Sequence, residues 1–423
     1  MDYIADLHIH SSYAMACARN ITLRSLINTA DHKGISIVGT GDFTHPKWIS
    51  EMKNEIEEER EGIYALSKNS GKARFVLSAE VCTIFDKLNT VKKIHNCILA
   101  PNLEVVEQIS SNLEKFGSLS SDGRPILNMS AAELVEILHG ISKDILVFPA
   151  HAWTPHFGVF GAFSGFDHMA DAFEDQAMHI HAFEMGLSSD ALMNYRISEN
   201  DKYTLLSNSD AHSLPKMGRE ANVFSFDKDP EYKDIVDAIV NKDRKKIKMN
   251  IGFYPEEGKY HNDGHRNCRV SMTPQESKIY NGRCPVCGGR ITIGVLHRID
   301  ELADREYGYI PKGAVPYVHS MLLDELIAYI MEKTTTAKAV KELAERLVYR
   351  FGTEFDVMLN ADINEVAKID AEVAKAVENI REEKVNLIPG YDGVFGIVDI
   401  MGREREKMEK SRSGINQRTL FYK

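Results

Sequence analysis

Short apolar, strand-like runs recur through the first half of this chain, and most of them lead into a residue able to ligate a metal. Asp6-Leu-His8-Ile-His10 opens the series and Asp210-Ala-His212 closes it. Between them Ile35–Thr40 leads to Asp42 and His45, Arg74–Ala79 to Glu80, and Asp144–Ala150 to His151, with His95 in a further apolar stretch. Residues two apart in an extended chain share a face, so His8 and His10 can reach one cation, as can Asp210 and His212. Helix-period segments separate the runs: Leu23–Lys33, Trp48–Ser67, Leu103–Phe116 and Ser130–Ile141, the last opening with Ser130 and Glu133 at capping-box spacing. Strands alternating with helices predict a parallel α/β sheet. Ligand-type residues where those strands end predict a TIM-like barrel with its site on the carboxyl face, with an open doubly wound sheet as the alternative.

Any one of these side chains, taken alone, reads as a solvated or hydrogen-bonded loop residue. Nine of them in one order and one phase predict a multinuclear metal centre. Nitrogen and carboxylate donors without paired thiolates suit zinc, manganese or iron better than calcium. Two or three divalent ions about 3.5–4 Å apart would polarise a phosphate and activate water, so the expected chemistry is phosphoester hydrolysis.

The motifs Asp6-Leu-His-Ile-His-Ser11, Gly41-Asp-Phe-Thr-His45, Glu80 after its strand, Pro149-Ala-His151 and Ser209-Asp-Ala-His212 resemble the successive motifs of the PHP (polymerase and histidinol phosphatase) phosphoesterases. The resemblance spans roughly residues 1–250 and implies a distorted seven-stranded β/α barrel with a two- or three-metal site of Zn2+, Mn2+ or Mg2+. It assigns the ligand role to His8, His10, Asp42, His45, Glu80, His95, His151, Asp210 and His212, with His8, His10, Glu80, Asp210 and His212 at the reacting centre. Many members carry another His just beyond the first pair. Here that stretch reads Ser12-Tyr-Ala-Met-Ala-Cys17, which puts a fully ligated third metal in doubt.

With 423 residues, 43% of them apolar, the chain is long enough for two or three domains. Met1 leads straight into an acidic strand and no apolar run approaches membrane-spanning length, so a soluble, cytoplasmic protein is expected. Of six cysteines, Cys17, Cys82 and Cys97 are isolated and read as buried thiols. The others form His265-Arg-Asn-Cys268 and Cys284-Pro-Val-Cys287, two knuckles that together complete a tetrahedral structural Zn2+ site. His261 and His297 are the substitutes if His265 is not the fourth ligand. A CxxC redox motif would require a βαβ context and leaves Cys268 unexplained. The domains expected are thus 1–250, a zinc-ribbon-like module at 251–310, a helical domain at 311–410 and a tail at 411–423. Tyr317–Glu332, Thr336–Phe351 and Asp362–Glu383 carry the helical stripes, and the turns Phe351–Phe355 and Pro389–Gly393 are candidates to face a partner.

A net charge of −11 argues against a general nucleic-acid binder, but the distribution is uneven. Lys259–Arg290 holds six cations against two acids, Arg403–Lys423 holds seven against three, and Arg244-Lys-Lys-Ile-Lys248 precedes the first of these. Such local patches can contact phosphates or can simply be solvated. Trp153–Phe166, rich in aromatics and glycine directly after His151, reads as a lid or core plug, or as a surface for stacking an extruded base. At the C-terminus Gln417 followed by Leu420, Phe421 and Tyr422 resembles a compressed sliding-clamp-binding peptide, with an ordinary docked tail as the alternative.

The barrel motifs, Gly258–His265 with Cys268 and Cys284–Cys287, then Gly294-Val-Leu-His-Arg-Ile-Asp-Glu-Leu-Ala-Asp304 and a helical region, together resemble the endonuclease Q family, archaeal DNA repair nucleases with some bacterial relatives. The resemblance covers essentially the whole chain. It implies incision of single- or double-stranded DNA 5′ of hypoxanthine, uracil, xanthine and abasic sites, leaving 3′-hydroxyl and 5′-phosphate ends, with the damaged nucleotide flipped. Met185–Ser189 and Trp153–Phe166 are candidate pocket segments. Competing expectations are a small-molecule phosphatase of the histidinol phosphate type, which has no use for the zinc module, and a degenerate binding scaffold, which would have lost ligands.

Overall fold

The strands that frame the site are β1 (Asp2–Asp6), β2 (Ile37–Gly39), β3 (Arg74–Lys87), β4 (Thr90–Ala100), β5 (Leu146–Pro149), β6 (Ala182–Glu184), β7 (Thr204–Leu206), β8 (Ala221–Ser225) and β9 (Ile247–Gly252). They come from a computed structural model that describes residues 1–68, 71–87 and 89–403, a mixed α/β chain. β1 runs parallel to β2 and β2 to β3. β3 and β4 form an antiparallel hairpin, and β4 is antiparallel to β5. Ala152 N donates to Glu184 O at 2.9 Å, joining the end of β5 to β6, and β6 is parallel to β7. The path returns to the first strand where Asp210 N donates to His8 O and His10 N to Ala211 O, at 2.9 and 3.0 Å. Earlier residues of β1 pair antiparallel with β8, and β8 with β9.

The expected parallel pairing therefore holds for β1–β2–β3 and β6–β7, whereas β4, β8 and β9 join antiparallel neighbours. A parallel crossover needs a dozen or more residues, and the register Lys87↔Thr90 leaves room only for a tight turn. As a result Glu80 lies within a 14-residue strand rather than at its end. A second departure falls at Trp48–Ser67, where the helix stops at Glu55 and a hairpin, Ile56–Arg60 with Ile63–Leu66, follows. Gly62 makes that turn at φ 68°, and a Cβ there would meet the Tyr232 side chain at 2.4 Å.

Helices pack outside the strands with the caps their sequences specify. Thr22 and Ser25 form a capping box on Leu23–Lys33, which ends at Gly34 in the left-handed region, and Ser130 with Glu133 caps Ala131–Ile141. Their apolar faces join one cluster with Val38, Phe75, Val147 and Phe183. A second cluster holds Leu7, Val76, Phe148 and Phe224.

β9 is parallel to the strand Tyr317–His319, so residues 253–316 are an excursion between two paired strands. Its helix Val295–Leu302 buries Val295 and Ile299 in the first core, while Met272, Cys284 and Ile291 form a small cluster of their own. Leu323–Met331, Lys338–Phe351 and Ala371–Arg381 build a separate helical core around Leu326, Leu347 and Val377. The expected helix at Tyr317 begins only at Leu323, because residues 317–319 extend the sheet, and the expected helix over Asp362–Glu383 is two, Ile363–Ala367 and Ala371–Arg381. Both candidate partner-facing turns dock on the chain itself. Phe355 joins the first core and Glu354 pairs with Lys33 at 2.9 Å, while Gly390 O accepts from Asn262 N and Asp392 from Arg266 N, at 2.9 and 2.7 Å. The clamp-like residues Gln417, Leu420, Phe421 and Tyr422 lie outside the described residues, as does all of the basic tail beyond Arg403. Among the described residues no helix is long and apolar enough to cross a membrane.

One buried acid lowers the stability of this framework at neutral pH. Burial pushes the Glu220 carboxyl up to about 8, and its Oε2 has no hydrogen-bond partner. The folded protein holds this proton while the unfolded chain has released it, so the penalty is absent below the ordinary carboxylate range and grows as pH rises toward 8. Glu220→Gln is expected to stabilise the protein by roughly 2–3 kcal/mol at pH 7. Thermal melts should show a larger gain at pH 8 than at pH 5; an equal gain at both would show that titration is not the cause.

Candidate metal centre and its cavity

Side chains from widely separated segments converge on Glu80, which is 1% exposed. His8 Nε2 lies 3.5 Å from Glu80 Oε2 and 3.7 Å from Asp210 Oδ1, and His10 Nε2 lies 3.2 and 3.0 Å from the same two oxygens. The other oxygen, Oε1, faces His95 Nδ1 at 2.7 Å and His151 Nε2 at 3.0 Å. Two donor groups able to hold an ion thus share one carboxylate: His8, His10, Glu80 and Asp210, and Glu80, His95 and His151. The donors fit divalent metals. His8 Nε2, the atom that faces Glu80 and Asp210, is buried with no hydrogen-bond partner, a costly arrangement unless its lone pair is used. Burial by itself would raise the Glu80 carboxyl, but His8 beside it and hydrogen bonds with His10 and His151 hold it well below the usual range. His95 is driven down to about 4, chiefly by burial, which leaves its imidazole neutral and able to donate a lone pair.

The remaining residues of the predicted set stand outside the two groups. Asp42 is adjacent: its Oδ1 meets His10 Nδ1 at 2.9 Å and its Oδ2 accepts from Ser11 N and Oγ, both at 2.6 Å. With both oxygens engaged, Asp42 fixes the ring of His10 so that Nε2 points at Glu80. His45 is buried against Tyr13, ring on ring at 4.3 Å. His212 has its ring 4.5 Å from that of His10, and its Nδ1 is 2.9 Å from Asp210 O. Asp42, His151 and Asp210 all have φ between 29° and 48°. Non-glycine residues pay roughly 1 kcal/mol or more each for the left-handed region, a cost that persists where side-chain direction matters.

Two participants were not singled out from the sequence. Glu184 receives His8 Nδ1 at 3.0 Å, accepts from His151 N at 3.0 Å and from Asn208 Nδ2 at 2.8 Å, and so does for His8 what Asp42 does for His10. Its signal was present, an acid closing an apolar run, but the run is β6, only three residues long. Arg124 places NH1 3.2 Å from Glu80 Oε2. It comes from a loop without periodicity, and a cation is the opposite of a ligand signal. Glu184→Gln is expected to weaken metal affinity and any dependent activity by about 10–100-fold. Metal titration of the variant would show this, and affinity within twofold of the parent would rule out the orienting role.

The second constellation lies in the excursion. Ligand atoms of His265, Cys268, Cys284 and Cys287 all lie within 4.8 Å of one another. Gly288 N donates to Cys284 O at 2.8 Å, closing the turn that presents Cys284 and Cys287. Burial opposes ionisation of Cys284, but the amides of Cys287 and Val286 bring its thiol down to about 6. His297 is committed instead to Asp263 and Ser277, and His261 is buried outside this group.

A cavity of about 550 Å³ is lined by His95, Arg124, His151 and Asp210, which stand around Glu80, and by Lys259, Tyr260 and Phe395. Trp153, Phe157 and Met185–Ser188, from the two candidate pocket segments, line it as well. Within the aromatic segment, Trp153, Phe160 and Phe166 are buried and join the first core, while Phe163 is exposed.

The structure superposes on that of the lesion-specific endonuclease PfuEndoQ from Pyrococcus furiosus with a TM-score of 0.85 and 34% identity, covering 98% of this chain and 99% of that one. This chain belongs to the endonuclease Q family. A second endonuclease Q, solved with a 27-mer duplex carrying an abasic lesion at its active site, gives a TM-score of 0.84 and 33% identity over 95% of this chain and 98% of that one. In sequence, the uncharacterized protein YqxK of Bacillus subtilis is 28% identical over 410 residues, 93% of this chain and 98% of YqxK. The uncharacterized protein MJ0043 of Methanocaldococcus jannaschii is 34% identical over 250 residues, 58% of this chain but 31% of its own length, so this match spans about a third of that protein. A family model described as the MJ0043 C-terminal domain matches residues 323–384, the helical core.

Proposed function

We propose that this protein is a metal-dependent, lesion-specific DNA endonuclease that hydrolyses the phosphodiester 5′ of deaminated bases (hypoxanthine, uracil, xanthine) and abasic sites, leaving 3′-hydroxyl and 5′-phosphate ends. What carries the reading is the large cavity set directly against a carboxylate shared by two metal-ligand groups, in a chain of the endonuclease Q family. We read the strand path β1 to β7 as a distorted β/α barrel with the site at one rim. His8, His10, Glu80 and Asp210 would hold one divalent ion and Glu80, His95 and His151 a second. Ions in such a site supply Lewis-acid stabilisation of the charge that develops on a phosphodiester and an activated water. Asp42 and Glu184 hold His10 and His8 in their ligating orientation, and Arg124 adds a fixed positive charge beside the phosphate. Ordered thiol donors with one imidazole suit Zn2+ at His265, Cys268, Cys284 and Cys287.

The cavity's size and its aromatic walls, Trp153, Phe157 and Tyr260, suit a nucleotide flipped out of the stack, a step cheapest for a mispaired or missing base. A pocket offering N–H donors at the base edge would favour a carbonyl, which deamination creates, over the exocyclic amine it replaces. Lys259, Arg266, Arg269, Lys278, Arg283 and Arg290 are all exposed, and none of their side chains forms an ion pair among the described residues, which leaves these cations available to backbone phosphates. The test is incubation with a labelled duplex holding one deoxyuridine, deoxyinosine or abasic site, beside a chromogenic phosphomonoester, with Mn2+ or Mg2+ supplied. Strand cleavage at the lesion is expected. Turnover of the monoester alone would favour a small-molecule phosphatase, and turnover of neither a binding scaffold.

A further inference from the structure

Sharing no lining residue with the large cavity is an open groove of about 540 Å³, lined by Ser12, Tyr13, Arg19, His45, Lys47 and Ser120, with Pro46 and Ser121 completing it. No carboxylate lines it. Arg19 and Lys47 are exposed, and neither has an acid within 4 Å among the described residues. His45 is 5% exposed, and its Nδ1 is buried without a hydrogen-bond partner. His45 also begins the helix Pro46–Glu55 with no side-chain cap, so first-turn amides stand next to the groove. Of the acids near it, Asp122 accepts from the amides of Met15 and Arg124, at 2.9 and 3.2 Å, and Glu51 accepts from the Tyr13 hydroxyl at 2.5 Å. The groove is tied to the metal centre through Ser12's neighbour Ser11, which donates to Asp42, which in turn fixes His10.

We infer that this groove is a subsite for a backbone phosphate of the DNA strand next to the one being cut, gripped by Arg19 and Lys47 over His45. Unpaired cations and serine hydroxyls in a groove lined by no carboxylate, beside a Tyr13 ring whose hydroxyl is committed to Glu51, are the chemistry that recognises a phosphodiester and its sugar, whatever the base. The inference rests on the nuclease reading given above. It places the continuous strand across the rim, one nucleotide toward the large cavity and its neighbour toward Arg19 and Lys47, which holds the scissile phosphate between two fixed points.

The test uses the full-length, metal-loaded protein and a fluorescently labelled duplex with one abasic site, comparing the parent with Arg19→Ala/Lys47→Ala and with Arg19→Lys. Binding is measured by anisotropy over a range of salt concentrations, and incision kinetics are followed in parallel. The double variant is expected to bind about 10–100-fold more weakly at low salt, with the slope of log affinity against log salt shallower by about 1–2. The loss should fall mainly in KM, and Arg19→Lys should keep the parental slope. An unchanged slope and affinity, in a protein that still binds and cuts the duplex, would overturn this subsite alone. Failure of the parent itself to bind or cut would overturn the nuclease reading and this subsite with it. Circular dichroism of the double variant should match the parent, since both side chains are exposed.

Discussion

Glu80→Gln is expected to lower lesion-strand incision by more than about a thousandfold and to lower the bound divalent metal by at least one ion, because metal stabilisation of developing charge is worth several kcal/mol and each 1.4 kcal/mol is tenfold in rate. No other single change should remove as much metal. Each oxygen of this carboxylate faces a different donor group, Oε2 toward His8 and His10 and Oε1 toward His95 and His151. An amide keeps the shape but removes the negative charge that four imidazoles surround. It leaves a neutral, weaker ligand on one side and N–H donors pointing at nitrogen on the other. Metal content by atomic emission and single-turnover incision are the measurements. Full metal content with incision within tenfold of the parent would mean that Glu80 does not bridge the two groups. Asp210→Asn, which touches one group, should lose activity comparably while retaining more metal.

Cys284→Ser is expected to release zinc and unfold the segment around residues 263–291 without melting the rest of the protein. That segment has almost no apolar core of its own: Met272, Cys284 and Ile291 are its buried cluster. A structural zinc site contributes apparent binding energies of about 10–16 kcal/mol in small modules, far more than a few buried side chains at roughly 1.5–3 kcal/mol each. Limited proteolysis should cut the variant within this segment while the N-terminal α/β part of the chain remains resistant, and a strong chelator should reproduce the pattern in the parent. Zinc absent from the variant with parental protease resistance would show that the metal does not hold the module together. Because Lys259 and Tyr260 also wall the large cavity, the variant should bind lesion duplex more weakly even with its catalytic metals intact.

Much of this protein follows from local rules that act within a few residues. The period-two histidines, the capping boxes at Thr22 and Ser130, and the paired knuckles ending in Cys268 and Cys287 are determined by spacing, and the structure has each of them in place. Residue type narrows the candidates further, since His, Asp, Glu and Cys are the side chains that most often ligate such ions. What tertiary structure decided is which of those residues share an ion-sized space. Asp42 and His45 close the same apolar run, yet one fixes His10 and the other stacks on Tyr13, because the two oxygens of Asp42 are already taken by His10 and Ser11. Glu184 and Arg124 enter the site from a three-residue strand and an aperiodic loop, where no local pattern is long enough to mark them. The same holds for strand direction: Lys87 and Thr90 pair as an antiparallel hairpin because the connection is too short for a crossover, and that turn puts His95 across from Cys82, two residues before Cys97, the partner of Glu80. Sequence determined the chemistry available and the elements that carry it, since both depend on near neighbours along the chain. The closing of the strand path, which brings residue 210 against residue 8, depends on burial summed over the whole fold, and it is this closing that makes scattered acids and imidazoles a single site.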